Sequence, residues 1–497
     1  QHGIEMLRRS FICKKAKIMS SVDALRDIGD GASVAVGGFG LCGVPFKLLS
    51  RLRKEGRKNL HIISTATGGE DSIGLGPLLR DGQVKTLTTS YIGLDSFLAK
   101  QLTQGKLRLE LSPMGTLVER LRCGGSGIPA FYTPTGFGTD LADGNIPVLF
   151  APDGSGRVIE RSEPRETREV SGRWCVLEHA IEADFSLIKA WKADTRGNLL
   201  FRGTTQNMNA IMATCAKTCI AEVEEIVEVG KLDASEVHVP FLYVDRIVLS
   251  EKAEKHSNPS SIHDDEASAS SNIEKKQERI ARRAVLELGN DMCVKLGVGT
   301  PSLVKRFLPE NVKVFALSES GMIWSETLPK NKKVSDPDFV NAGGEAVVIP
   351  DPGASLFDSV VSLSMLRGGH VDATMLGAFQ VSSTGDIASW YAAGKLNELA
   401  GAMGVVSSGG RIIALTEHVN EDGTPRIVEH CNMPLTGKGV VQTIITDLAV
   451  FDVVCKGGNA RQLLLKEIAE GVTIDELKAK TGAFFLISDE LMKMRQI

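Results

Sequence analysis

Glu319 stands in the run Ser318-Glu319-Ser320-Gly321, directly behind the apolar segment Val312–Leu317. A carboxylate at the carboxyl end of a parallel strand sits where ligands bind in open α/β sheets, and it can act as a covalent nucleophile. Taken alone it is more often a solvated acid after a strand. A second pattern, Gly38-x-Gly40-x-x-Gly43, matches the dinucleotide fingerprint and lies between a strand and a helix. No acid ends the following strand, where Thr65, Ala66 and Thr67 stand and Glu70 and Asp71 lie deeper. The ribose partner is therefore missing, and a glycine loop that lets a ligand or partner backbone approach closely is the better reading. Cys175 and His179 are four apart, as are Cys215 and Cys219, within zinc-knuckle spacing. The small, helix-like stretch Met212–Cys219 favours buried core thiols over metal ligands. The run Met433–Gly439 lacks the first glycine of a P-loop, and no Gly-x-Ser-x-Gly elbow occurs.

These residues need elements to position them, and the chain supplies the same unit twice. A helical segment Val22–Ile28 precedes the strand Ala32–Val36, the glycine turn Gly37–Pro45, the helical Phe46–Leu52 and the strand Leu60–Ser64. A helix Glu274–Leu288 precedes the strand Met292–Leu296, the turn Gly297-Val298-Gly299-Thr300-Pro301, the helical Ser302–Leu308 and the strand Val312–Leu317. Strand, glycine turn, helix and strand make a βαβ unit. Its repetition predicts two related α/β domains with mainly parallel sheets.

Between the two units, residues 251–276 open with a stretch that has no Leu, Val, Met or aromatic residue, so it reads as a flexible polar linker. It separates a domain over 21–250 from one over 277–497. Residues 1–20 read as a transit-peptide-like leader. From Met6 to Ser20, Arg8, Arg9, Lys14, Lys15 and Lys17 alternate with Leu7, Phe11, Ile12 and Ile18, and no acid occurs.

The 497 residues contain 42% hydrophobic and 24% charged side chains, an ordinary globular balance that excludes a mostly disordered chain. At ~150 residues per domain the length suggests about three domains, and two large ones also fit. A net charge of −4 with 5% aromatics gives no nucleic-acid groove. No apolar run is long enough to span a membrane. Nine thinly spread cysteines point to a reducing compartment rather than a disulfide framework.

The sixteen residues Asp30–Pro45 resemble the N-terminal signature of the family I coenzyme A transferases, and the dinucleotide-like triplet lies inside them. The segments Ala130–Thr139, Lys189–Asp194, Arg367–Ala378 and Pro434–Lys438 are similar to fused two-domain members. The resemblance implies an active site in the cleft between the two domains. It implies transfer of coenzyme A between short-chain carboxylic acids, such as succinate with acetoacetate or acetate. Glu319 would be the nucleophile and carry a glutamyl-CoA thioester, and Gly401 would offer a backbone N–H to the reacting carbonyl. Gly297, Gly299, Pro301, Ala402 and Met403 would border the coenzyme. The resemblance implies no permanently held cofactor, with the coenzyme A thioester as substrate. Partners would be acyl-CoA, small carboxylic acids and a second copy in a homodimer, with no nucleic acid or membrane, in the mitochondrial matrix.

Departures cluster near this chemistry. Ser320 stands where the family has Asn, and Trp324 falls in a stretch where small residues are usual. Lys295 and Met114 replace an Asn and a Gln, and Ala66 and Thr67 replace Asn residues. Lost amide donors remove contacts to substrate or oxyanion. A second reading therefore stands beside the first: a weakened paralogue that binds CoA, hydrolyses acyl-CoA or serves interaction. Lys295 could donate to an oxyanion, or pair with Glu319 and blunt it.

Overall fold

The computed structural model describes residues 15–67, 73–92, 96–250, 254–258, 272–326, 336–347, 353–392, 395–396, 400–407, 410–455 and 461–496. Two large sheets carry the fold. The first runs in the order Lys17–Ile18, Arg246–Leu249, Ala216–Val227, Ala183–Asp194, Ser33–Val36, Leu60–Ile63, Val84–Thr89, Arg108–Leu111, all parallel, with Leu199–Leu200 antiparallel on Ala183–Asp194. Its inner strands are apolar on both faces, with Val34, Ala35, Val36, Leu60, Ile62 and Ile63 buried. That is the composition of strands covered by crossover helices on either side. One such crossover, the helix Phe46–Glu55, buries Phe46, Leu48, Leu49 and Leu52 and stops at Gly56 in the left-handed conformation, φ 69°.

The second sheet begins alike. Cys293–Leu296 lies between Val314–Ser318 and Ala373–Gly377, and Arg411–Leu415 and Thr443–Ile445 follow, all parallel. Ser33–Val36 likewise lies between Leu60–Ile63 and Ala183–Asp194, with the parallel Ala216–Val227, Arg246–Leu249 and Lys17–Ile18 beyond. The repeat read from the sequence is thus a repeat of sheet order. The flanks differ. Met322–Glu326 folds back antiparallel on Val314–Ser318, and Ala449–Cys455 and Arg461–Ile468 add antiparallel pairs, so the second sheet is mixed.

Several elements depart from the sequence reading. The first helix is only Ser21–Ala24, after which Arg26 N–H and Ile28 N–H close tighter turns on Asp23 O and Leu25 O; Leu25 and Ile28 remain fully buried. Thr300–Leu303 passes into a 3₁₀ turn over Val304–Phe307, ahead of Pro309. The stretch around the Cys pair is not one helix: Asn209–Met212 is helical, and Ala216–Val227 is a strand that contains Cys219. Tertiary pairing with Ala183–Asp194 overrides the local preference of its small residues. Residues 272–276 belong to the helix Asn272–Ala284 rather than to the polar linker. Residues 254–258 are also fixed: Lys255 Nζ meets Glu224 at 3.1 Å and Asp338 at 2.6 Å, and Asn258 Nδ2 donates to Gly343 O at 2.7 Å. The rest of that stretch, and residues 1–14 of the leader, lie outside the described residues.

The two halves meet over a continuous apolar layer in which Leu117, Leu121 and Ile211 join Leu317, Leu363, Leu366 and Val405. Polar ties frame it. Arg202 pairs with Asp336 and Asp338, and Arg367 Nη2 reaches Glu119 Oε1 at 2.7 Å. Among the described residues no helix is long and apolar enough to cross a membrane.

Candidate active site

Val314–Ser318 and Met322–Glu326 form a tight hairpin in which Ser318 pairs with Met322, so Glu319 and Ser320 occupy the turn itself. Gly321 makes the turn possible. Its φ is 100°, and a Cβ there would lie 2.0 Å from Phe357 O. The turn is gripped from behind by the helix Ser359–Arg367, which Asp358 caps through Val361 N–H at 2.9 Å. Ser359 Oγ donates to Glu319 O at 2.7 Å, and Ser362 Oγ, one turn on, donates to Ser318 O at 2.6 Å. Ser320 Oγ donates to Val340 O at 2.7 Å and is fully buried. The Ser320 hydroxyl thus holds scaffold.

The Glu319 carboxylate accepts a hydrogen bond from Lys295 Nζ at 2.7 Å. The two side chains are 9% and 4% exposed. Lys295 comes from the neighbouring strand Cys293–Leu296, and its ammonium also donates to Leu296 O at 3.2 Å. A buried, charge-assisted bond of this length fixes the carboxylate at the strand end.

Other sequence candidates fall around this pair. Gly297 N–H donates to Met375 O at 2.9 Å, and a Cβ there would come within 3.1 Å of the same oxygen. Gly299, φ 77°, is exposed and opens the short helix Thr300–Leu303, whose Pro301 is buried. Gly401 and Ala402 lie in the first turn of the helix Ala400–Val406, where backbone N–H groups have no intrahelical acceptor. Met403 is fully buried, and its side chain packs an apolar cluster with Trp390, Leu111 and Leu141. Gly404 approaches Gly115 across the two halves, with its Cβ direction 3.9 Å from Gly115 N. Met114 is buried in the layer that contains Leu317. Ala66 bridges to Tyr91, and Trp324 is half-buried opposite Ala316.

The first glycine loop is filled by the chain itself. Asn209 Nδ2 donates to Gly43 O at 2.9 Å, and its Oδ1 accepts Lys189 N–H at 2.9 Å. A Cβ on Gly37 would lie 1.9 Å from that Oδ1. Asn207 Nδ2 donates to Cys42 O at 3.2 Å, while Asn207 O accepts Ser359 N–H at 3.1 Å. The glycines make room for two asparagines rather than a pyrophosphate, and those asparagines link the loop to the helix behind Glu319. Sequence reasoning missed Ser359, Ser362, Asn207 and Asn209; Asp358 before an apolar run was the readable cap signal for the first two.

Cys215 and Cys219 are core thiols, and burial pushes Cys215 up to about 12. Among the described residues no three His, Cys, Asp or Glu side chains gather as a metal group.

A family pattern described as coenzyme A transferase matches residues 18–250 and 277–480. The chain is 44% identical over 478 residues to the human mitochondrial succinyl-CoA:3-ketoacid coenzyme A transferase 2, covering 96% of this chain and 91% of that one. It is 43% identical over 489 residues to the mitochondrial succinyl-CoA:3-ketoacid coenzyme A transferase 2A of Rattus norvegicus, covering 98% of this chain and 92% of the rat protein. In fold it is similar to an acyl-CoA transferase of Escherichia coli O157:H7 in a thioester complex with CoA, with TM-score 0.75, 19% identity, and 97% and 95% of the two chains covered.

Proposed function

The chain belongs to the coenzyme A transferase family, and from that premise we propose that it transfers coenzyme A from succinyl-CoA to a 3-keto acid or acetate through a thioester on Glu319. A carboxylate oxygen of Glu319 adds to the acyl-CoA carbonyl, the C–S bond breaks, and the coenzyme leaves as its thiolate. The mixed anhydride left behind is attacked at Glu319 Cδ by that thiolate. Its C–O bond breaks and the first acid departs as a carboxylate. A second carboxylate reverses both steps and leaves as the new acyl-CoA. The thioester free energy stays on the enzyme throughout. Gly401 N–H is proposed to donate to the developing oxyanion, a contact worth ~2.7–4 kcal/mol in such sites. Gly297, Gly299, Pro301 and Ala402 are proposed to border the coenzyme.

The observation that carries this reading is the burial of Glu319 in a turn clamped by Ser359, with its carboxylate held by Lys295. Burial keeps water from the anhydride. The names of the relatives favour a mitochondrial location. We place the protein in the matrix, as a homodimer of two-domain chains joined through the polar segment after residue 250.

Intact mass after incubation with succinyl-, acetoacetyl- and acetyl-CoA tests the proposal, with Glu319→Gln as control. A CoA adduct on the wild type alone is expected, and the ester that forms it names the donor. No adduct from any ester on folded protein would overturn it. That result would favour the weakened paralogue, which the burial of Met114 and the diversion of Ser320 Oγ to Val340 O already support.

A further inference from the structure

The Lys295–Glu319 pair has a consequence for the covalent cycle. In the free protein the buried ammonium and carboxylate neutralise each other at 2.7 Å. In the thioester state Glu319 is an uncharged acyl group, and the first acid has carried the negative charge away. Lys295, 3% exposed, is then a buried cation without a counterion. Such a charge is strongly unfavourable in the interior unless an anion replaces the lost one. The family's usual Asn is neutral in both states and creates no such demand.

We propose that Lys295 is the binding residue for the carboxylate of the acid substrate, and that it binds this carboxylate only when Glu319 carries coenzyme A. An ammonium has three donors. Two are used, on Glu319 Oε2 and Leu296 O, and among the described residues the third has no acceptor. Thioester formation vacates the first as well. A carboxylate bound there lies beside Glu319 Cδ, the atom its oxygen must attack to regenerate the anhydride. Charge compensation and positioning of the nucleophile are then one contact. In the free protein Glu319 already neutralises the ammonium, so a second carboxylate on the remaining donor is unfavourable, and acyl-CoA enters without competition from free carboxylates. No proton is exchanged: one carboxylate replaces another on the same cation.

This inference rests on Glu319 forming the thioester, so the experiment begins from the isolated adduct. Purified enzyme–CoA is mixed with increasing succinate or acetoacetate, and the half-saturation of adduct decay is compared with the inhibition constant of the same acid against acyl-CoA on the free enzyme. The thioester form is expected to bind the acid about tenfold or more tightly. In whatever adduct Lys295→Asn forms, the two constants are expected to converge. Equal constants in the wild type would overturn the inference while leaving the glutamyl thioester intact. Release of one proton per adduct, measured in weakly buffered solution, would also overturn it, because Lys295 would then be discharging itself. Both wild-type measurements stand even if the variant fails to fold. Failure to form any adduct would instead strike the parent proposal.

Discussion

Ser359 Oγ donates to the main-chain carbonyl of Glu319 at 2.7 Å, while the Ser359 N–H donates to Asn207 O at 3.1 Å. One residue therefore ties the turn of the second half to the asparagine pair beneath the glycine loop of the first. The turn at Glu319 is held by both halves, although Glu319 and Lys295 both come from the second.

Ser359→Ala leaves the Glu319 carbonyl buried without its side-chain donor. The loss is expected to lower stability by about 1–3 kcal/mol in urea denaturation. It also frees the turn, so CoA adduct formation on Glu319 is expected to slow by about tenfold. Unchanged adduct kinetics with lowered stability would reduce Ser359 to a packing role.

Gly37→Ala places a Cβ on Asn209 Oδ1, 1.9 Å away. Overpacking of this kind costs about 3 kcal/mol or more when the neighbour cannot move, and Asn209 is held by Lys189 N–H, Gly43 O and Thr205 O. Asn209→Ala alone is also destabilising, because those backbone groups lose their partner. The double variant is expected to lose less than the sum of the two, since each change removes the other's clash or vacancy. Strict additivity in denaturation midpoints would contradict the close approach.

Arg367 joins the halves through Glu119 Oε1 at 2.7 Å and Gly115 O at 3.2 Å. Glu119 keeps a second partner in Arg122 at 2.7 Å, which limits the damage when Arg367 is lost. Arg367→Met is therefore expected to cost about 1–2 kcal/mol rather than the full penalty of an orphaned buried carboxylate. A loss under a few tenths, measured by denaturation, would place the inter-half cohesion in the apolar layer alone.

The sequence carried the skeleton of this site because its signals are local. Glu319 follows an apolar strand, and the glycine turns follow their strands, so period and punctuation placed them correctly. The partners of Glu319 are another matter. Ser359 and Ser362 lie forty or more residues away in sequence and meet the turn only through tertiary packing. Asn209 is separated from Gly43 by more than a hundred and sixty residues. Composition misled at 254–258, where Lys255 and Asn258 are polar because they meet acids and carbonyls of both halves, not because the segment is loose. The Cys215–Cys219 stretch misled because small residues suit a helix until a neighbouring strand claims them.

His418 gives a pH signature away from the chemistry. It is fully buried, with Nδ1 3.0 Å from Thr446 Oγ1 and Nε2 3.0 Å from Thr481 Oγ1. Thr481 Oγ1 donates to Leu477 O at 2.7 Å and so accepts from an Nε2–H, while Thr446 Oγ1 divides between Nδ1 and Ala449 O at 3.1 Å. Burial pushes its pKa down to about 4, against an upward pull from Asp447 and a further downward push from Lys480. The unfolded chain, with a pKa near ~6.5, binds the proton more readily than the fold does. Stability from this residue is therefore complete above about pH 6.5 and declines as pH falls toward 4, by up to about 3 kcal/mol. Urea midpoints measured from pH 7.5 to 4.5 are expected to fall more steeply in the wild type than in His418→Gln, which keeps a donor and an acceptor but cannot take up the proton. Parallel pH profiles for the two proteins would show that the ring is charged in the fold, or that the fold opens to admit water around it.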